Sequence, residues 1–458
     1  MRGSGPVDAP AGPTLANCTA CGLCNDVCPT YLETADEREG PRGRIGLMQM
    51  LAADGRRSGE GLETIERHLA TCIACGACER ACPEDVPFEA ALHDARAELF
   101  ARGCLPAGRS KLYAFFAERI ATPDKFGRIV RLLQAMPKVS RRMLGSSLGA
   151  LADGIASAGI AGGGAQFGGA GTALTSGVAR GRVMLAGGCL ERMQRPAMID
   201  AAIRLLARRG FDVEVPADAG CCGAIASELG VTRAADDLEA RNVDGWQRAV
   251  SRTSDTTDMP RPAVSRILTL SNKCRDQIRA TPEDGTADTR LHHLLAEATD
   301  VIDYLAAVDI GAPERWSTLR VGYLGSCRSE TAERGDPVPQ LLRDAGYTVV
   351  HLGEPSVCCG GRGAFPFMQP EMAASLRRRK LGQLARTDID VVAVRDVGCV
   401  TALGGDPLLP VLHAIELLDW AFGGPVPEGL SRYQNFAHDV PSADPLPTEE
   451  QAATVHKG

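Results

Sequence analysis

Two cysteine-dense strings constrain this chain more than anything else in it. Residues 18–29 read CTACGLCNDVCP and residues 72–83 read CIACGACERACP. Both follow C-x2-C-x2-C-x3-C-P, the spacing that holds cubane iron–sulfur clusters. The short gaps let three thiolates converge from one turn, and Pro29 and Pro83 then send the chain away. Structural zinc is the competing reading, but it draws Cys pairs from separate knuckles rather than four Cys from one short run.

In two-cluster ferredoxins the fourth Cys of each motif crosses to the other cluster. That rule predicts one [4Fe-4S] cluster on Cys18, Cys21, Cys24 and Cys82, and a second on Cys72, Cys75, Cys78 and Cys28. Leu62, Ile65 and Leu69, and later Leu92, Ala95 and Leu99, recur at helical spacing, so a small helical domain is expected around the pair.

Farther along, the sequence repeats itself. VMLAGGC, an amphipathic helix with Ile199, Ile203 and Leu206, RRGFDVEVP and CCGAIASELG form the first copy; VGYLGSC, a helix through Leu341 and Leu342, DAGYTVVHL and CCGGRGAF form the second. Intervals of 31 residues between Cys189 and Cys221, and of 30 between Cys327 and Cys358, support duplication. Each copy continues into a strand ending in a lone Cys, Cys274 or Cys399, and the polar run SRTSDTTDMPRP lengthens the first as a loop insertion. Strands alternating with helices imply parallel sheets, with these cysteines at the carboxyl ends of strands. Adjacent Cys residues can grip one edge of a metal centre, while the following Gly allows close approach of the backbone. Cys189, Cys221, Cys222 and Cys274 therefore form one candidate set, and Cys327, Cys358, Cys359 and Cys399 the other, with a third iron–sulfur centre the expectation for these domains. The alternative is that one copy has become a pseudo-domain without metal.

The expected fold class is α+β multidomain. Residues 1–108 form a helical two-[4Fe-4S] ferredoxin-type domain and 109–181 a helical segment with a Gly/Ala-rich linker; 182–312 and 313–424 form the two α/β Cys-Cys-Gly domains, and 425–458 a polar tail. Lys125, Arg128, Arg131, Lys138, Arg141 and Arg142 give the helical segment a basic face, read either as a docking surface or, more commonly, as a solvated face. Cys104 is left over and reads as a plain helix residue. His413 reads either as a contact to a cluster or quinone or as a packed core residue, and Arg42 and Arg44 either as steering an anionic partner or as covering a cluster loop.

The net charge of -7 and the lack of a basic stripe argue against nucleic acid as a partner. The leader MRGSGPVDAPAG has no export pattern, so the 17 cysteines are expected to stay reduced in the cytoplasm. No run is long and apolar enough to span a bilayer. There is no G-x-G-x-x-G after a strand, P-loop, G-x-S-x-G or HExxH, so no residues are assigned as catalytic or as binding an organic cofactor. Chemistry on carbon is expected on a partner that carries flavin.

The arrangement resembles the iron–sulfur subunit of glycolate oxidase (glycolate dehydrogenase), from Cys18 to about Trp420. PRGRI at 41–45, CCGA, ARNVDGW at 240–246, CCGGRGAF with QPEMAASLRRRKL, VGC at Cys399 and HAIELLDW carry the resemblance. It implies an electron-transport subunit of an oxidoreductase whose FAD-binding subunits oxidise glycolate to glyoxylate, and D-lactate as well, passing electrons through this chain to a membrane quinone. It also implies a place at the inner face of the cytoplasmic membrane. Heterodisulfide reductases, lactate-utilisation proteins and a subunit of anaerobic glycerol-3-phosphate dehydrogenase share these domain types and are the alternatives. Unlike heterodisulfide reductases, this chain follows Cys274 with RDQ and Cys399 with VTA, so neither set has the fifth cysteine of that pattern. The difference favours plain electron transfer over disulfide cleavage.

Overall fold

Apolar residues three and four apart in the N-terminal third place one greasy face on each of three helices. The faces of Pro41–Ala53, Glu60–Ala70 and Phe88–Ala101 meet in a core containing Ile45, Met48, Leu51, Leu62, Ile65, Leu69, Leu92, Ala95 and Leu99. Each side chain fully withdrawn from water there contributes about 2 kcal/mol. These positions come from a computed structural model that describes residues 15–53, 60–105, 109–120, 172–173, 179–186, 188–216, 220–252, 262–283, 288–325, 335–352, 358–404 and 409–439.

The two copies of the repeat fold alike. In the first, β2 (Gly181–Ala186), β3 (Phe211–Glu214), β4 (Val264–Thr269) and β5 (Thr299–Asp300) are parallel, in the order β3-β2-β4-β5. In the second, β7 (Arg320–Leu324), β8 (Thr348–His351), β9 (Val391–Val394) and β10 (Val411–His413) take the corresponding order β8-β7-β9-β10, again parallel. Val183, Met184 and Leu185, like Val391–Val394, are buried throughout, as strands covered by helices on both faces must be. The expected α+β class thus holds, with a helical part followed by two α/β units. Residues 172–173 of the Gly/Ala-rich stretch form a further strand, β1, antiparallel to β3, and β11 (Ala437–Asp439) pairs with β6 (Arg315–Ser317).

The two units share one core. Helix Pro196–Arg208 lays Met198, Leu205 and Leu206 against the same cluster as Ile415, Leu418 and Phe422 at the end of the second unit. Arg195 pairs with Glu416 at 2.9 Å and Arg204 with Asp419 at 2.7 Å along that seam. Helix Arg109–Ile120 is not a free connector: Tyr113 and Ala117 are buried in a cluster with Cys189, Cys221 and Ile225. The basic residues from Lys125 to Arg142, the insertion around 253–261 and Cys327 lie outside the described residues.

Candidate metal centres

The two N-terminal motifs adopt the same local backbone. Ala20 and Ala74 have φ of 56° and 54°, and Gly22 and Gly76 have φ of 89° and 71°. Left-handed residues on both sides of Cys21 and Cys75 curl each loop so that successive thiols point inward, and a glycine accepts that conformation at the second position without strain. Short helices, Leu23–Asp26 and Ala77–Arg80, then carry the third thiol of each motif.

Two neighbouring cavities result. One is lined by Cys18, Cys21, Cys24 and Cys82, with Cys78 in a shared wall. The other is lined by Cys28, Cys72, Cys75 and Cys78, with Glu89 at its edge. Cys21 is exposed, whereas Cys28 and Cys75 are buried, so the first cavity is the outer and the second the inner. Burial, followed by the charges of Cys72, Cys75 and Cys28, pushes the Cys78 thiol well above its ordinary pKa. Burial also raises Cys24, beside Cys18 and Cys21. Thiols gathered so closely do not ionise unless a metal charge compensates them.

The donor set fits an iron–sulfur cluster. Among the described residues no three His, Cys, Asp or Glu side chains could hold a single metal ion. Four thiols around a cavity instead suit a group whose thiolates bind separate irons. The Ala74 amide donates to Cys72 Sγ at 3.4 Å, the kind of bond that tunes a cluster's potential.

In the first α/β unit, Cys189, Cys221, Cys222 and Cys274 are all buried. Cys222 and Cys274 lie 3.1 Å apart at sulfur, and the hydrogen bond that Cys221 donates to Cys189, together with burial, drives Cys221 well above its ordinary pKa. Cys189 starts the helix after β2, the Cys221–Cys222 pair follows β3, and Cys274 lies in the helix after β4. All four therefore gather at the carboxyl ends of strands around the point where the strand order reverses. The second unit brings Cys359 and Cys399 to 3.0 Å, with Cys358 adjacent; the Gly360 amide donates to Cys358 Sγ and the Gly361 amide to Cys359 Sγ, each at 3.4 Å. Cys399 is only half-buried, and a surface cavity opens beside Cys359, lined also by Arg377, Leu381 and Thr401.

Other residues singled out in the sequence have structural places. Arg44 is buried and bonds the His68 carbonyl at 2.9 Å, Thr30 Oγ1 at 3.1 Å and Glu39 at 2.7 Å, so it braces the loops behind Cys28 and Cys72 rather than steering a partner. Arg42 pairs with Glu37 and donates to the Ala20 carbonyl at 3.3 Å, covering the first cysteine loop. His413 is a buried helix cap: its Nδ1 accepts from the Ile415 amide at 3.2 Å and its Nε2 donates to the Arg395 carbonyl at 3.0 Å. It is buried in the core and is not among the residues lining the three cysteine cavities described above. Cys104 falls just past the helix Phe88–Ala101 rather than within it.

One feature escapes sequence patterns altogether. Glu89, at the edge of the inner cavity, meets Lys273 Nζ at 2.9 Å and Arg362 Nη2 at 3.4 Å, and Glu228 meets the same two cations at 3.4 and 3.0 Å. This knot joins the helical part to both α/β units. Lys273 precedes Cys274, and Arg362 follows Cys-Cys-Gly-Gly, but nothing in one dimension says that these charges meet.

Residues 14–86 match the family model of the 4Fe-4S dicluster domain, and residues 183–279 and 321–404 each match that of the cysteine-rich domain. The chain belongs to the family of iron–sulfur subunits built from these two domain types. It is 24% identical to the glycolate oxidase iron-sulfur subunit of Escherichia coli (strain K12), over 89% of this chain and 94% of that protein. A probable glycolate oxidase iron-sulfur subunit of Bacillus subtilis (strain 168) is likewise 24% identical, over 84% of this chain and 87% of its own length. A fumarate reductase (CoM/CoB) subunit of Methanothermobacter marburgensis is 23% identical, over 89% of this chain and 72% of its own. Family members of these names support an electron-transfer role for the chain. Among the described residues no helix is long and apolar enough to cross a membrane.

Proposed function

We propose that this chain is the electron-transfer subunit of a glycolate-oxidising complex. FAD-binding partner subunits convert glycolate to glyoxylate, with D-lactate as a further substrate, and the acceptor is a quinone reached at the inner face of the cytoplasmic membrane. Cys18, Cys21, Cys24 and Cys82 hold the outer [4Fe-4S] cluster, and Cys28, Cys72, Cys75 and Cys78 the inner one. When bound, such clusters take up and release one electron at a time. The thiols supply the ligands, the amide at Ala74 donates toward sulfur, and the apolar helical core keeps water from the inner site.

The observation that carries this reading is the pair of adjoining four-thiol cavities with Cys78 in the wall between them. Matches to the glycolate oxidase subunits, spanning most of both chains, support the choice of partner. The test is Cys21→Ser in the assembled complex. Iron content should fall and acceptor reduction should be lost, while substrate still bleaches the partner's flavin. Turnover at the wild-type rate by that variant would sink the relay.

A further inference from the structure

The two Cys-Cys-Gly sets do not stand alike toward the inner cavity. Cys75, one of its four thiols, is buried in a single apolar cluster with Ile73, Phe365 and Cys358 of the second unit. The thiols of the first unit pack elsewhere. Cys189 and Cys221 sit with Tyr113, Ala117 and Ile225, and Cys222 and Cys274 with Ala224. Both units set charge on Glu89 at the edge of the inner cavity, Lys273 from the first and Arg362 from the second, but only the second unit adds a thiol to the apolar cluster around Cys75.

From this asymmetry we infer that the second set, Cys358, Cys359 and Cys399, carries a redox centre coupled directly to the inner N-terminal site through the Ile73–Cys75–Cys358–Phe365 contact, and that the first set lies off that route. The inference rests on the reading that the N-terminal thiols hold iron–sulfur clusters. Apolar contact favours the coupling because it packs Cys75 and Cys358 into one buried cluster. An electron that crosses here leaves the inner site oxidised by one and the second set reduced by one, and no bond is made or broken. The second set also has a way out. Cys359 lines the open cavity beside Arg377 and Thr401, and Cys399 is half-buried, whereas all four thiols of the first set are enclosed. The molecule therefore offers one continuous order of thiol sites, from exposed Cys21 through the Cys78 wall and the Cys75–Cys358 junction to the Cys359 cavity.

The test compares Cys359→Ser and Cys222→Ser in the full chain, purified without air, with Cys399→Ser as a milder lesion of the second set. Iron is counted per chain, and low-temperature EPR of reduced samples reads the width and microwave-power saturation of the N-terminal signals. Both serine variants of the second set should lose iron and narrow those signals, with the half-saturation power falling several-fold; Cys222→Ser should leave width and saturation at wild-type values. Narrowing by Cys222→Ser in place of the other two, or N-terminal signals unmoved by both second-set variants, overturns the inference. Wild-type chain that shows no N-terminal [4Fe-4S] signal overturns it together with the relay, so the two failures are told apart.

Discussion

The two α/β units share a topology but not a chemistry at the end of their third strand. Four residues before the lone cysteine, the first unit has Leu270 and the second has Arg395, each about 1% exposed. Leu270 adds to the common core. Arg395 instead reaches across the seam between the units: it meets Asp300 at 3.1 Å, pairs with Asp303 and meets Asp336 at 3.3 Å. Burial works against its charge, but three carboxylates hold Arg395 above its ordinary pKa. Asp300 and Asp303 lie at the start of the first unit's last helix. One duplicated position thus fills a core in one copy and fastens the copies together in the other.

Arg395→Leu, which gives the second unit the first unit's residue, breaks that comparison most sharply. It leaves the enclosed Asp300 carboxylate without its cation, a loss of about 3–5 kcal/mol for a buried pair broken on one side. Urea unfolding should show the midpoint of the paired units falling accordingly, and Arg395→Leu with Asp300→Asn should recover part of it. A loss below about 1 kcal/mol would mean that the seam is held by its apolar surface alone.

The Cys-Cys-Gly turns differ next. The first unit continues with Ala224, which has room for its methyl, and the second with Gly361, whose added Cβ would run into the Gly398 carbonyl. Gly398 in turn precedes Cys399, and Lys273 holds the corresponding place before Cys274. The second set is therefore built on a closer backbone approach. Gly361→Ala should cost about 1–3 kcal/mol through overpacking and weaken iron retention in the second set, read by thermal unfolding and metal analysis. The mirror change Ala224→Gly should cost about 1–2 kcal/mol, from helix propensity and the lost buried methyl beside Cys222 and Cys274, with no backbone clash.

How much of this was legible in one dimension follows from the range of each interaction. Cysteine spacing within a motif acts over a turn or two, so the N-terminal sets could be named, and the period of apolar residues placed the helices around Leu62 and Leu92. The duplication was legible because strand, helix and Cys-Cys-Gly recur in order. Long-range partners were not. For Arg44 the sequence left steering a partner and covering a cluster loop equally open, because it does not report that Glu39, His68 and Thr30 enclose the side chain. The Glu89 knot and the Cys75–Cys358 junction each join residues hundreds of positions apart, and helix Arg109–Ile120 showed no sign that Tyr113 would cover the first cysteine set.

The smallest expected effect is also the one that pH can isolate. The last helix of each unit is capped at an equivalent place, by Asp300 accepting from Ile302 at 2.8 Å and by His413 accepting from Ile415 at 3.2 Å. Burial pushes the His413 pKa down to about 3, against roughly 6.5 in an unfolded chain. Between those values the unfolded state binds the extra proton, so the stabilisation is complete above about pH 6.5 and is lost as pH falls toward 3. In His413→Asn the amide oxygen keeps the cap, as the Asp300 carboxylate does, while the bond to the Arg395 carbonyl goes. At pH 7 the variant should lose about 1 kcal/mol, the net worth of one buried hydrogen bond. The gap should close at about pH 6 and the order reverse below it, by about 1 kcal/mol at pH 5, because only the wild type carries this proton-linked loss. Urea midpoints of both proteins at pH 7, 6 and 5 measure it, with the difference cancelling acid effects common to the two. Parallel curves would mean that His413 gains its proton without opening the fold, and that the second cap is as indifferent to mild acid as an amide.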